Sequence, residues 1–204
     1  MMRRLPLALM VCFLGGGYSA HAQSGVTLTP TQHMWVHRIE ESLAHTRTVQ
    51  ARFHQVTPDN GQASDGDVTL ERPGHMRFSY DPPSPLLLVA NQGKVVFQDR
   101  SIDQITTIPL QRTPLGLLMQ PNPRFSGDVT ITGFSQDRNM IQLKVIRTAS
   151  PSEGELTLFF TASPLALQGW DLFDTQGHQT QIRLSNIKVG GSVKPELFTL
   201  PKAD

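Results

Sequence analysis

The sequence predicts a mainly β fold: one long, strongly curved antiparallel sheet of about eleven short strands, with helices covering its concave face. From Val49 onward apolar and polar residues alternate with a period of two, as in "HMRFSY" (75–80) and "MIQLKVIRT" (140–148). Turn-forming triplets stand between such segments at hairpin spacing: Asp59-Asn60-Gly61, Asn91-Gln92-Gly93, Ser152-Glu153-Gly154 and Thr175-Gln176-Gly177. No ten-residue helical crossover separates the strands, so neighbours are antiparallel. A sheet of this many strands must curl or split, and its concave face then needs cover.

Along the chain, residues 1–22 read as an export signal. "MMRR" is a positive start, "LPLALMVCFLGGG" an apolar run, and Ala20-His21-Ala22 has the small-x-small form of a cleavage site. The apolar run is well short of a ~20-residue membrane span. Cleavage after Ala22 leaves 182 of the 204 residues, 23–204, as a single domain. Cys12, the only cysteine, lies inside the signal, and no small residue precedes it as in a lipidation box. An exported chain without cysteine reads as a bacterial periplasmic protein stabilised by its core alone.

One amphipathic helix follows. Thr29 suits its N-cap and Pro30 its first turn. Trp35, Val36, Ile39 and Leu43 share roughly a 100° arc, with His33, His37, Glu40 and Glu41 on the opposite side. Strands are then predicted at 49–56, 67–71, 75–80, 86–90, 94–99, 104–109, 128–134, 140–148, 155–160, 167–174 and 180–189. The insert "QRTPLGLLMQPNPRF" (111–125) breaks this rhythm. Thr113 can cap and Pro114 can start a brief apolar helix of Leu115, Leu117, Leu118 and Met119, which Pro121 and Pro123 stop.

Charge excludes several functions. Taking Arg3 and Arg4 from the 18 lysines and arginines leaves 16, against 17 acidic residues, with no basic cluster. Nucleic acid and anionic lipid surfaces are therefore not expected partners. The chain after the signal contains no G-x-S-x-G, H-E-x-x-H or P-loop motif. The acidic pairs Asp171/Asp174 and Glu40/Glu41 read as solvated charges. His33 and His37 stand at i, i+4 without a third strong metal ligand. No catalytic residue, metal or cofactor is expected. The large apolar residues Met76, Phe78, Phe97, Met119, Phe159, Phe160 and Trp170 are either ordinary core or the lining of a hollow, and periodicity alone does not separate the two.

Two long segments are more specific. "LERPGHMRFSYDPP" (70–83), followed by "LLLVANQGKVVFQDRSIDQITTIPLQRTPLGLLM" (86–119), resembles the outer-membrane lipoprotein carrier (LolA) family. "VQARFHQV" (49–56) and "PELFTLP" (195–201) support it, and beyond Pro121 only the strand pattern does. The resemblance implies an incomplete antiparallel barrel with a helical lid over an apolar cavity. It implies a soluble periplasmic carrier, expected as a monomer, that takes acylated lipoprotein cargo from an inner-membrane ABC transporter and passes it to a lipid-anchored outer-membrane receptor. It also implies that Arg72, before Pro73, bonds to the lid and latches the empty state. The acyl-chain lining is then expected from Trp35, Met76, Phe78, Leu88, Phe97, Leu117, Leu118, Met119, Phe159 and Trp170. Competing readings are a same-fold binding protein for another lipid or glycolipid, a sensor of mislocalised lipoproteins, for whose second domain 182 residues leave no room, and a periplasmic hydrolase.

Overall fold

A computed structural model describes residues 25–202; the export signal predicted at 1–22 lies outside them. The first helix, α1, spans Pro30–His45. Its start is a full capping box. The Gln32 N–H donates to Thr29 Oγ1 at 3.3 Å, and the Thr29 N–H donates to Gln32 Oε1 at 2.8 Å. Val36, Ile39 and Leu43 form its buried stripe.

Eleven strands follow: β1 (Thr48–Thr57), β2 (Gln62–Glu71), β3 (His75–Tyr80), β4 (Leu86–Asn91), β5 (Lys94–Asp99), β6 (Gln104–Pro109), β7 (Val129–Asp137), β8 (Met140–Arg147), β9 (Glu155–Ala162), β10 (Leu165–Phe173) and β11 (Gln179–Val189). All pair antiparallel in one sheet of order β6-β5-β4-β3-β2-β1-β11-β10-β9-β8-β7. The predicted strand count and curved, unclosed sheet are thus observed. Two hairpin meanders meet where the first strand pairs the last. The edges β6 and β7 do not pair, and the chain travels from one to the other through residues 110–128.

That passage holds a 3₁₀ turn, Leu110–Arg112, and the four-residue helix α2, Leu115–Leu118. Thr113, two residues before it, supports its first turn, its Oγ1 accepting from the Gly116 N–H at 3.2 Å. Gly116 is required by contact: a Cβ there would stand 2.3 Å from the Leu110 carbonyl oxygen. The helix is short because Pro121 and Pro123 follow it directly.

Period-two alternation sends Phe53, Val68, Leu70, Met76, Phe78, Leu143, Val145, Leu156, Leu158, Phe160, Trp170 and Ile182 to one face. There they join Val36, Ile39 and Leu43 of α1 and Leu117, Leu118 and Met119 in one continuous core. A smaller cluster lies on the opposite face of the sheet, where Phe198 packs on Leu87 and Val89.

Candidate functional site

Arg72 leaves the end of β2 and turns inward, only 3% exposed. Its Nε donates to the Leu118 carbonyl at 2.8 Å, and its Nη1 donates to the Thr46 carbonyl. Leu118 is the last residue of α2 and Thr46 the C-cap of α1. Both carbonyls belong to helix ends, where intrahelical donors run out. One guanidinium fork therefore ties both helices to the β2–β3 turn. Backbone bonds reinforce it: the Arg72 N–H donates to Arg47 O at 2.8 Å and the Gly74 N–H to Met119 O at 3.0 Å.

The tie is incomplete. Arg72 Nη2 is buried and has no hydrogen-bond partner among the described residues. Burial lowers the Arg72 pKa to about 10, so the side chain remains charged at neutral pH at a desolvation cost. A charged donor buried without a partner costs about 1–3 kcal/mol or more, which offsets part of what the two satisfied bonds contribute.

A second tie joins α1 to the segment after α2. Glu40 Oε2 accepts from Arg124 Nη1 at 3.0 Å, and Oε1 accepts from the Phe125 N–H at 2.7 Å. The sequence placed Glu40 on the solvent side of the helix wheel. It is half-buried instead, because its partners lie some 85 positions later and leave no local periodic signal.

Most of the predicted lining converges. Met76, Phe78, Leu117, Leu118, Met119 and Trp170 are all buried in the common core, with Trp35 and Leu88 half-buried against it. Phe78 meets Trp170 edge to face at 6.1 Å and Phe53 at 5.1 Å. The Arg38 guanidinium lies 4.2 Å above the Trp35 ring at the rim of α1. Phe97 is half-buried and pairs directly with Leu88, so it shares that face.

Phe159 does not join them. Leu158 and Phe160 on either side of it enter the core, so Phe159 points out of the other face, under the Arg183 guanidinium at 4.2 Å. Two consecutive phenylalanines cannot both face inward on a regular strand. Phe159→Ala is accordingly expected to cost only about 1 kcal/mol, the scale of a surface cation–π contact, and to leave lipid binding unchanged. A urea midpoint and a lipid titration measure the two effects.

On the concave side, space in this state is limited. One pocket of about 200 Å³ is lined by Gln55, Phe78, Tyr80, Leu88, Leu115 and Trp170, among others. Another of about 140 Å³ lies beside Arg72, Leu43 and Phe160. Both are smaller than the ~300–1,000 Å³ of ordinary ligand sites. A cleft of about 490 Å³ near Pro73 and Gln111 is lined mostly by turn residues, and of the predicted lining only Met119 reaches it. Gln55, Tyr80 and Leu115 were not predicted as lining. The strand parity that selected Phe78 also places Tyr80 inward, but its hydroxyl hid the signal.

Among the described residues no three His, Cys, Asp or Glu side chains gather as a metal site. His37 lies 3.5 Å from Glu41 on the exposed side of α1. No helix among these residues is long and apolar enough to cross a membrane.

An unclosed barrel whose apolar concave face is sealed by helices, with a buried arginine fixing both, defines a class of capped half-barrel proteins. The comparisons narrow it. The sequence pattern of the family described as "Outer membrane lipoprotein carrier protein LolA" matches residues 44–201. The chain is 30% identical over 169 residues to an outer-membrane lipoprotein carrier protein of Methylococcus capsulatus, covering 79% of this chain and 80% of the relative. A protein of the same description from Pseudomonas paraeruginosa is 27% identical over 205 residues, covering 96% and 94%. A solved DUF1329 family protein from Desulfovibrio piger shares the fold alone, with TM-score 0.50 and 8% identity over 82% of this chain and 95% of that one. The chain belongs to the outer-membrane lipoprotein carrier (LolA) family.

Proposed function

We propose that this protein is a soluble periplasmic carrier that takes acylated lipoproteins from an inner-membrane ABC transporter to a lipid-anchored receptor at the outer membrane. The acyl chains would occupy the space between the concave sheet and the helices. The observation that carries the reading is the Arg72 tie: one buried side chain holds both helices over a continuous apolar core and is itself only partly satisfied. The relatives' description as lipoprotein carriers supplies the cargo class.

The closed state leaves only pockets of about 200 and 140 Å³, so space for whole acyl chains would arise as α1 and α2 withdraw. Withdrawal exposes Leu117, Leu118 and Met119 to water, and incoming acyl chains cover them again. Each buried CH₂ contributes ~0.8 kcal/mol. Three acyl chains therefore represent tens of kcal/mol gross, far above what a few hydrogen bonds oppose. Extraction from a bilayer then needs an external energy source such as ATP hydrolysis by the transporter. The carrier needs only an affinity between those of donor and acceptor. No nucleic acid, metal or catalytic group enters this scheme.

Purified protein is expected to form a one-to-one complex with detergent-free triacylated lipoprotein and to ignore the same lipoprotein stripped of its acyl chains. Equal binding of both forms, read by size-exclusion chromatography, would sink the carrier reading. Preference for a glycolipid over acylated lipoprotein would move the protein to the alternative of a same-fold lipid-binding protein.

A further inference from the structure

We infer that Gln55 and Tyr80 form a hydrogen-bond donor site for the neutral carbonyl at the head of a bound acyl chain, an ester or amide, at one end of the apolar interior. The inference rests on the carrier reading and gives it a chemical selectivity.

The pocket is apolar apart from a small polar floor. Phe78, Leu88, Leu115, Trp170 and Ile182 line its walls, while Gln55, Tyr80 and Thr180 bring the polar atoms. All three polar residues point to the concave side by strand parity: Gln55 is two residues from Phe53, Tyr80 two from Phe78 and Thr180 two from Ile182. Tyr80 reaches Gln55 diagonally across β2, whose Gly66 pairs with both Phe53 and Tyr80 and puts no side chain in the way. A Cβ at Gly66 would lie 2.6 Å from the Phe53 ring and 2.3 Å from Ser79 O. The Tyr80 ring instead meets Phe53 edge to face at 5.1 Å.

The Tyr80 hydroxyl donates to Gln55 Oε1 at 2.7 Å. That bond occupies the amide oxygen and fixes the carboxamide, turning its NH₂ group into the part left to act. Among the described residues no side-chain or loop-backbone acceptor is in hydrogen-bond contact with Gln55 Nε2. Burial pushes the Tyr80 pKa up to about 12, so its hydroxyl keeps its proton and the arrangement holds at physiological pH. The site thus presents fixed N–H donors beside apolar walls. It matches a group with a polar acceptor head on a hydrocarbon tail.

Charge decides which acceptor. The pocket lining contains no Lys, Arg or His. A fatty-acid carboxylate placed there would be desolvated without a counter-charge, whereas an ester or amide carbonyl needs only one or two donors. The site therefore selects neutral acyl derivatives over free fatty acids. Leu115 stands at the start of α2, so the same pocket borders the helix that Arg72 holds.

The test uses dioctanoylglycerol and the matching dioctyl glycerol ether, which differ by their two carbonyls. The parent protein is expected to bind the ester about three- to tenfold more tightly, the range of one hydrogen bond. The double variant Gln55→Leu/Tyr80→Phe removes both donors and should erase that preference, and Tyr80→Phe alone should reduce it by freeing the carboxamide to turn. An infrared spectrum of ¹³C-carbonyl ester should show a lowered stretch in the parent complex and none in the Gln55→Leu/Tyr80→Phe double variant. Equal binding of ester and ether by the parent, or an unchanged preference in the double variant, overturns the site but leaves the carrier reading intact. If neither lipid binds while acylated lipoprotein does, the site is likewise overturned. If acylated lipoprotein also fails to bind, both fall.

Discussion

Arg72→Leu is expected to accept acylated lipoprotein at least as readily as the parent and to release it to an acceptor about ten- to thirtyfold more slowly. In the proposed carrier cycle the closed, empty state competes with the loaded one, and the bonds Arg72 makes to both helices would stabilise only the closed state. Two charge-assisted hydrogen bonds, to Leu118 O and Thr46 O, disappear with the guanidinium, and two helix-end carbonyls lose their donor. Hydrogen bonds to charged groups contribute about 1.5–3 kcal/mol each when fully satisfied. The desolvated guanidinium and its orphaned Nη2 cancel part of that, leaving a net of about 1.5–2 kcal/mol, or ten- to thirtyfold in an equilibrium. Apparent affinity scales with the fraction of protein already competent to bind, so weakening closure tightens cargo binding and slows its departure. Arg72→Lys keeps the charge but loses the planar fork, so its release rate should fall between the two. Transfer of fluorescent lipoprotein to receptor-bearing liposomes reads the rate. Release by Arg72→Leu at the parental rate would remove this residue from the mechanism.

The sheet was legible because its signals are local. Each strand announces itself by alternation and each hairpin by its turn residues, so about eleven strands and the antiparallel pairing of neighbours could be read without tertiary information, whereas the pairing of β1 with β11 could not. The cover was legible too: Thr29 marks the start of α1, and Pro121 and Pro123 end the insert. What escaped depends on partners distant in the chain. Glu40 looks solvated on a helical wheel and becomes half-buried only because Arg124 and the Phe125 N–H arrive from the end of the insert. Gln55 looks like a polar residue on a strand until Gly66 lets Tyr80 lean across to it. Phe159 failed for a different reason. Composition marked "FF" as doubly apolar, and only the parity of β9, with Arg183 waiting on the far side, separates the inward ring from the outward one.

Trp170→Ala is expected to separate core packing from cargo space. Trp170 is 1% exposed, meets Phe78 edge to face and borders the pocket beneath α2. Truncating a buried aromatic costs about 3–5 kcal/mol, because the transfer energy is lost and a void remains. At about 2–4 °C per kcal/mol for a domain of this size, Tm should fall by about 6–20 °C. The void would enlarge a pocket whose walls at Phe78, Leu88 and Ile182 are apolar, so this part of it is better filled by hydrocarbon than by water. Acylated lipoprotein should therefore raise the Tm of the variant by more than it raises that of the parent, since in the parent the same chains must first displace a closed, well-packed interior. The comparison carries its own control in Phe159→Ala, whose ring lies on the opposite face and whose loss opens no interior space. If cargo stabilises Trp170→Ala no more than the parent, the acyl chains do not run past Trp170. The apolar face it shares with Phe78 would then be ordinary core.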